Sequence, residues 1–166
     1  MNKRATQETD FTIWKQLLFN TTVIVSALGY FVDIYDLILF SMVRTKSLVD
    51  IGVPVDTIMS SGIELINSQM IGMLVGGIVW GVWGDKKGRL SVLFGSIFMY
   101  SVANIANGFV DSMNWYLIWR FVAGIGLAGE LGAAITLVSE SLPKEKRGYA
   151  TTLIASIGIS GAVFAY

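Results

Sequence analysis

Long apolar segments separated by short polar ones dominate the chain. Most of these segments reach the roughly 20 residues that an α-helix needs to span the hydrocarbon core of a bilayer. No stretch alternates apolar and polar residues in the way that indicates a β-strand. The pattern predicts five helices, the last of them short for a membrane span, at about residues 20–43, 56–84, 90–109, 114–142 and 149–166.

The polar segments predict how these helices are oriented. Residues 1–19 are expected to form a short cytoplasmic tail and an interfacial segment that leads into the bilayer, and residues 44–55 an outer loop. Segments 1–19, 84–89 and 143–148 hold nine of the twelve Lys and Arg residues. Because basic residues favour the cytoplasmic side, the N-terminus is expected to be cytoplasmic in a multi-pass protein of the cell inner (plasma) membrane.

Composition supports an all-α membrane protein and narrows its chemistry. The 166 residues are 54% hydrophobic and 14% charged, whereas soluble domains carry roughly 25% charge. Twelve basic and twelve acidic residues balance, so no basic field indicates a nucleic-acid partner. The chain has no Cys and no His, and its Ser, Asp and Glu residues form no recognisable catalytic group. No cofactor, metal or enzymatic activity is therefore expected.

A tight turn is predicted between the second and third helices. The turn is the stretch Gly81-Val-Trp-Gly84-Asp85-Lys-Lys-Gly88-Arg89. Its charged part, residues 84–89, lies between two segments, 68–83 and 90–110, that have almost no ionisable residues. Gly84 and Gly88 are expected to supply the backbone freedom for a short reversal at the membrane surface. The two flanking helices should therefore be antiparallel neighbours.

This turn resembles a signature of the major facilitator superfamily. Gly81, Asp85, Gly88 and Arg89 fall at the spacing of its G-x-L-A-D-R-x-G-R-R loop between helices two and three. Trp83, Gly84 and Leu90 replace the leucine, the alanine and the last basic residue of that signature.

Two further segments carry the same resemblance. The stretch 120–129, Arg-Phe-Val-Ala-Gly-Ile-Gly-Leu-Ala-Gly, is similar to the fourth-helix pattern R-x-x-x-G-x-G-x-x-G, and Glu140 to Gly148 is similar to E-x-x-P-x-x-x-R-G. The resemblance implies twelve helices in two six-helix halves, with a central site and alternating access. The chain would then supply the first five helices of this 6+6 bundle, and its partner would be the missing C-terminal half.

Four ionisable residues are expected within the membrane, where each costs on the order of 3 kcal/mol. They are Asp33, Asp36, Arg120 and Glu130. Arg120 is expected at about the depth of Asp36, which predicts an ion pair between them; the alternative is a pair that only holds helices one and four together. The stretch 30–36 also resembles the first helix of aromatic-acid and metabolite proton symporters, which favours a coupling or substrate role for both aspartates.

Glu130 is the candidate proton carrier. Without histidine, a group that titrates near neutral pH must be a buried carboxyl, and Glu130 lies among glycines and alanines far in sequence from any cation. The alternative is a glutamic acid that stays protonated and hydrogen-bonds a neighbouring helix.

The resemblance also implies a cytoplasmic gate. In the family, charges on the inner turns form a network that closes this side, and the matching positions here are Asp85, Arg89, Glu140 and Arg147, with Gly81 and Gly88 in the turn. The alternative is surface charge that serves topology alone.

The leading hypothesis is proton-coupled uptake of a small organic metabolite, with the lipid bilayer, the solute and protons as partners. An uncoupled facilitator and a proton-driven exporter are alternatives, although the helix after Pro143 lacks the G-P-x-x-G-G element usual in such exporters. A non-transporting sensor or scaffold is an alternative of another class.

Overall fold

The structure, a computed structural model, describes residues 13–166 except the side chains of Ser141 and Glu145. Every regular element in this range is helical, which confirms the all-α class. Residues 13–18 are also helical, and residues 1–12 of the expected tail lie outside the described part of the chain. The five long helices are α1 (Thr21–Asp50), α2 (Ile58–Lys87), α3 (Arg89–Asn107), α4 (Met113–Ser141) and α5 (Lys144–Phe164).

The first helix extends beyond the expected boundary near residue 43. It continues to Asp50 and ends before Gly52, whose φ of 84° requires the left-handed region that glycine adopts easily. Within this extra length, the Nη1 atom of Arg44 donates a hydrogen bond of 3.5 Å to the carbonyl of Gly62 in α2. The prediction that residues 44–50 form a loop was wrong, because bilayer thickness limits the apolar span and not the helix itself.

The turn between α2 and α3 is tighter than the sequence predicts. Only Gly88 separates the two helices, with a φ of 86°, and its N–H donates to the carbonyl of Gly84 at 3.0 Å. Gly84 lies within the helix, so the expectation that it supplies backbone freedom for the turn was wrong. It provides space instead, because a Cβ there would lie 2.9 Å from Nη1 of Arg89 and 3.2 Å from Cγ2 of Val92.

The fifth helix begins at Lys144, five residues before its expected start. Pro143 precedes it with an extended ψ of 149°, so the basic residues of this segment lie in the first turns of the helix and not in a loop. Of the described helices, α1 to α4 are long and apolar enough to cross a membrane. Four such helices make this a multi-pass membrane protein.

The described residues divide into two compact units. The terminal unit holds 13–36 and 134–166, and the central unit holds Leu37–Ala133. The core of the terminal unit joins Leu17, Val23 and Ala27 to Val138 and Ile154. The central unit has two clusters of buried residues, one around Leu48, Leu65 and Tyr116 and the other around Tyr100, Ala123 and Leu127.

Helices α2 and α4 pack backbone against backbone through what we call the glycine seam, formed by Gly72, Gly76 and Gly124. A Cβ on Gly76 would lie 2.6 Å from the carbonyl oxygen of Ile125, Gly72 meets the Phe121 carbonyl, and Gly124 meets the Gln69 carbonyl. Small residues such as Gly72 and Gly76 let membrane helices approach this closely. Gly77 and Gly81 take no part in the seam, because within the described residues nothing lies within 4 Å of a Cβ position at either.

Candidate functional site

A buried arginine forms the most elaborate polar site in the described part of the central unit. Arg120 of α4 is only 5% exposed, and its Cζ lies 3.2 Å from the centroid of the Phe40 ring of α1. Its Nη1 donates a hydrogen bond of 3.4 Å to Oε1 of Gln69 in α2. Tyr116, one turn earlier in α4, contacts the Phe40 ring edge to face at 6.2 Å. We call Arg120, Gln69 and Phe40 the arginine site.

The arginine site follows from the chemistry of a buried guanidinium. A cation removed from water needs compensation, which an aromatic face and an amide oxygen both supply. The Nε2 atom of Gln69 is buried and has no hydrogen-bond partner within residues 13–166. A planar cation beside an amide donor is suited to binding a carboxylate.

Sequence reasoning found Arg120 but missed Gln69 and Phe40. Segment 68–83 was noted only for its lack of ionisable residues, and an amide does not count among them. The available signal was a lone glutamine in an apolar membrane helix, because such an amide usually hydrogen-bonds to a neighbouring helix.

Glu130, on the same helix, has very different surroundings. Its side chain is 7% exposed, and within the described residues its carboxyl makes no hydrogen bond or ion pair. The glycines before it allow close contact with the neighbouring helices. A Cβ on Gly126 would lie 2.7 Å from the backbone nitrogen of Tyr100, and one on Gly129 would lie 2.6 Å from Cβ of Ser96.

Trp80 is a further buried residue that the sequence analysis did not single out. Its indole Nε1 donates to the Ile125 carbonyl of α4 at 2.8 Å. Its ring lies against Gly95 of α3 and Gly129 of α4, where a Cβ would come within 3.1 Å and 2.5 Å of ring carbons. Trp80 of α2 therefore contacts both α3 and α4, and its contact with α4 lies on the turn that precedes Glu130.

Both candidate aspartates lie in the terminal unit, on α1. Asp33 is 3% exposed and Asp36 is half-buried. The α1 segment that carries them packs against two glycines of α5, because the Tyr30 ring lies over Gly158 and the Phe31 carbonyl over Gly161. The pairing of Asp36 with Arg120 stays a prediction.

The candidate gate residues occupy both units. In the central unit, Asp85 and Arg89 form an ion pair of 3.3 Å with side chains 71% and 31% exposed. In the terminal unit, Nε of Arg147 donates to the Leu142 carbonyl at 3.0 Å, and Glu140 is exposed near the end of α4. The network of all four charges stays a prediction.

Among residues 13–166, no three His, Cys, Asp or Glu side chains cluster in a way that could hold a metal ion.

Membrane-crossing helices with a glycine seam and buried ionisable residues define a polytopic membrane protein. The chain belongs to the Major Facilitator Superfamily, whose model matches residues 14–166.

Three relatives illustrate this membership. The chain is 34% identical to a metabolite transport protein of Haemophilus influenzae over 90% of its own length and 35% of the relative's. It is 33% identical to the niacin transporter NiaP of Acinetobacter baylyi over 82% of the chain and 30% of that protein. It is 26% identical to the benzoate transport protein of the same organism over 86% of the chain and 30% of that protein.

The chain thus spans about a third of the length of these relatives. No solved structure matches it.

Proposed function

We propose that this chain forms part of a proton-coupled transporter that takes up a small organic acid by alternating access. The observation that carries the proposal is the presence on one helix of a buried cation, Arg120, and a buried carboxyl, Glu130. Ionisable groups at membrane depth are costly and by default mark a substrate or ion pathway.

The arginine site supports the choice of an organic acid. Its hydrogen bond to Gln69 is long, at 3.4 Å, and joins the cation to a neutral amide. A carboxylate would replace it with a shorter charge-assisted bond, and the Nε2 atom of Gln69 could donate a second. Niacin and benzoate, the solutes named for two relatives, are both carboxylic acids.

Glu130 supports proton coupling. Its carboxyl makes no ion pair within the described residues, so a proton could bind and leave without first separating two charges. Asp33, equally buried, is the second candidate for this role. Asp36, which is half-buried, is proposed to act on substrate binding and not on coupling.

The turn residues are proposed to close the cytoplasmic side. Asp85 is exposed and Arg89 partly so, and their bond therefore contributes little to stability and could exchange partners as the protein changes state. Glu140 and Arg147 are the proposed exchange partners, and Gly81 and Gly88 would leave the turn uncrowded. If these charges serve only topology, neutralising them will leave transport unchanged.

The proposal is tested by reconstituting the complete transporter in proteoliposomes and measuring its transport of labelled nicotinate and benzoate. An inward proton gradient should drive accumulation, and a protonophore should abolish it. Equal uptake with and without the gradient would favour the uncoupled facilitator. Gradient-driven loss of preloaded solute would favour the exporter. Absence of any flux for a panel of carboxylates would favour the sensor or scaffold.

A further inference from the structure

The end of α2 that leads into the turn carries an apolar groove of about 540 Å³. Its lining residues recur at helical spacing and so occupy one face of α2. They are Ile78, Val79, Val82, Trp83, Lys86 and Lys87, and we call them the groove face. The four apolar side chains are all exposed, Ile78 to 72%.

The groove face ends in uncompensated positive charge. Asp85, the acidic residue of this turn, is paired with Arg89 at 3.3 Å. Within the described residues, the ammonium groups of Lys86 and Lys87 make neither an ion pair nor a hydrogen bond. An apolar surface with two cations at one end therefore suits an occupant that is apolar along its length and anionic at one end.

The dimensions of the groove face match one leaflet of a bilayer. From Ile78 to Lys87 the helix rises about 14 Å, at 1.5 Å per residue. Half of a hydrocarbon core of roughly 30 Å is about 15 Å. Trp83 lies about 6 Å along the helix from Lys87, and an indole prefers the boundary between hydrocarbon and headgroups.

We infer that the groove face binds an anionic phospholipid, with an acyl chain along Ile78 and Val82 and the phosphate between Lys86 and Lys87. A zwitterionic lipid fits less well because its ammonium opposes the lysines. Another apolar helix would cover the groove but leave both cations without a counterion. This inference does not depend on the proposed transport activity.

Quenching of Trp83 by lipids with brominated acyl chains tests the inference. The complete protein is reconstituted in phosphatidylcholine vesicles that contain a minor fraction of brominated phosphatidylglycerol or, in parallel, of brominated phosphatidylcholine. The difference between wild type and Trp83→Phe isolates the signal of this indole. Each lysine near an anionic surface favours the anionic lipid by roughly fivefold, so Trp83 should be quenched several-fold more by the anionic lipid.

Matched lysine variants identify the source of this preference. Lys86→Gln/Lys87→Gln should equalise the two lipids, whereas Lys15→Gln/Lys144→Gln, which removes the same charge outside the groove, should keep the wild-type preference. Inorganic phosphate, compared with chloride at equal ionic strength, should not displace the lipid.

Three outcomes would overturn the inference. Equal quenching by both lipids in the wild type would mean that the groove does not select charge. Absence of any Trp83 signal would mean that protein covers the groove. Displacement by inorganic phosphate would make the lysines a site for free phosphate.

Discussion

Each half of α4 carries a buried ionisable group, and the two groups have opposite surroundings. In the N-terminal half, Arg120 lies over the Phe40 ring and donates to Gln69. Ten residues later, Glu130 is almost as buried but has glycines on its preceding turn and no polar contact within the described residues. Burial alone therefore does not distinguish the two residues, whereas their partners do.

This difference indicates different roles for the two groups. A group that must stay charged in a membrane needs permanent partners, because an isolated charge there is costly. A group that must gain and lose a proton works better without them, since each fixed partner stabilises one protonation state over the other. This difference is the basis on which we propose substrate binding for the Arg120 half and coupling for the Glu130 half.

The largest effect is expected from Glu130→Gln in the complete transporter. Glutamine imitates a permanently protonated carboxyl, so proton-driven accumulation should be lost entirely. Exchange of labelled for unlabelled solute should continue, because neither half-reaction of exchange requires release of the proton. Both quantities can be measured in the same proteoliposomes.

Glu64→Gln is the matched control, because Glu64 is an exposed carboxylate of α2. It should leave accumulation intact. If accumulation in Glu130→Gln still follows the proton gradient, the contrast between the two halves fails and the coupling role passes to Asp33.

The next largest effect is expected from Arg120→Lys, which keeps the charge but removes the planar guanidinium. The apparent affinity for a carboxylate solute should fall roughly tenfold to a hundredfold, the worth of one charged hydrogen bond. Solute competition in uptake assays measures it. Arg44→Lys, at the half-buried arginine that contacts Gly62, should change affinity little. Unchanged affinity in Arg120→Lys would remove the arginine site from substrate binding.

A double-mutant cycle sharpens the role of Arg120 further. If Asp36 is its partner, Asp36→Asn and Arg120→Gln should each lower expression or activity more than the double variant does, because each single change leaves one charge buried alone. Strictly additive losses in expression and transport would contradict the pairing.

A smaller effect is expected at the seam that supports both halves. In Gly124→Ala the new methyl group would meet the Gln69 carbonyl and lie 3.1 Å from the Met73 nitrogen, so the free energy of unfolding should fall by roughly 1–3 kcal/mol. Gly132→Ala, on the same helix with nothing within 4 Å, should be neutral or slightly stabilising. Thermal unfolding in detergent measures both, and equal midpoints would contradict the close approach of α2 and α4.

The smallest effect on stability is expected at the turn outside α4. Asp85→Asn removes an exposed ion pair and should lower the free energy of unfolding by at most about 0.5 kcal/mol. Transport should nevertheless decrease if the pair belongs to a gate. Asp111→Asn, an exposed carboxylate of the turn before α4, is the control for a general loss of charge. Normal transport by Asp85→Asn would reduce the turn to a topology signal.

Hydropathy predicted the helices, because a backbone that crosses the bilayer must satisfy its own hydrogen bonds. The reversal at Gly88 was predicted from the glycine itself, because so short a turn needs a residue with a permissive backbone. Hydropathy did not predict the end of α1. The polar residues after position 43 are expected outside the hydrocarbon core, yet the helix continues to Asp50, and Arg44 contacts the Gly62 carbonyl of α2. Such a contact between separate helices has no signal in the local sequence.

The polar residues of the candidate site have a signal in the sequence, but their contacts do not. Arg120, Glu130 and Gln69 each stand out in an apolar helix, whereas Phe40, and the contact of Arg120 with both Phe40 and Gln69, become recognisable only once α1 and α2 are placed beside α4. Trp80 was overlooked for the same reason, because its role depends on the space that Gly95 and Gly129 leave open on two other helices.

The uneven use of glycine along α2 makes the protein convenient for site-specific labelling. Gly72 and Gly76 admit no side chain, whereas Gly77 and Gly81 have open space around any atom added to them. The chain contains no cysteine. A single thiol introduced at position 77 or 81 would therefore be unique within these 166 residues and reachable by a spin or fluorescent probe, without mutating anything else in them.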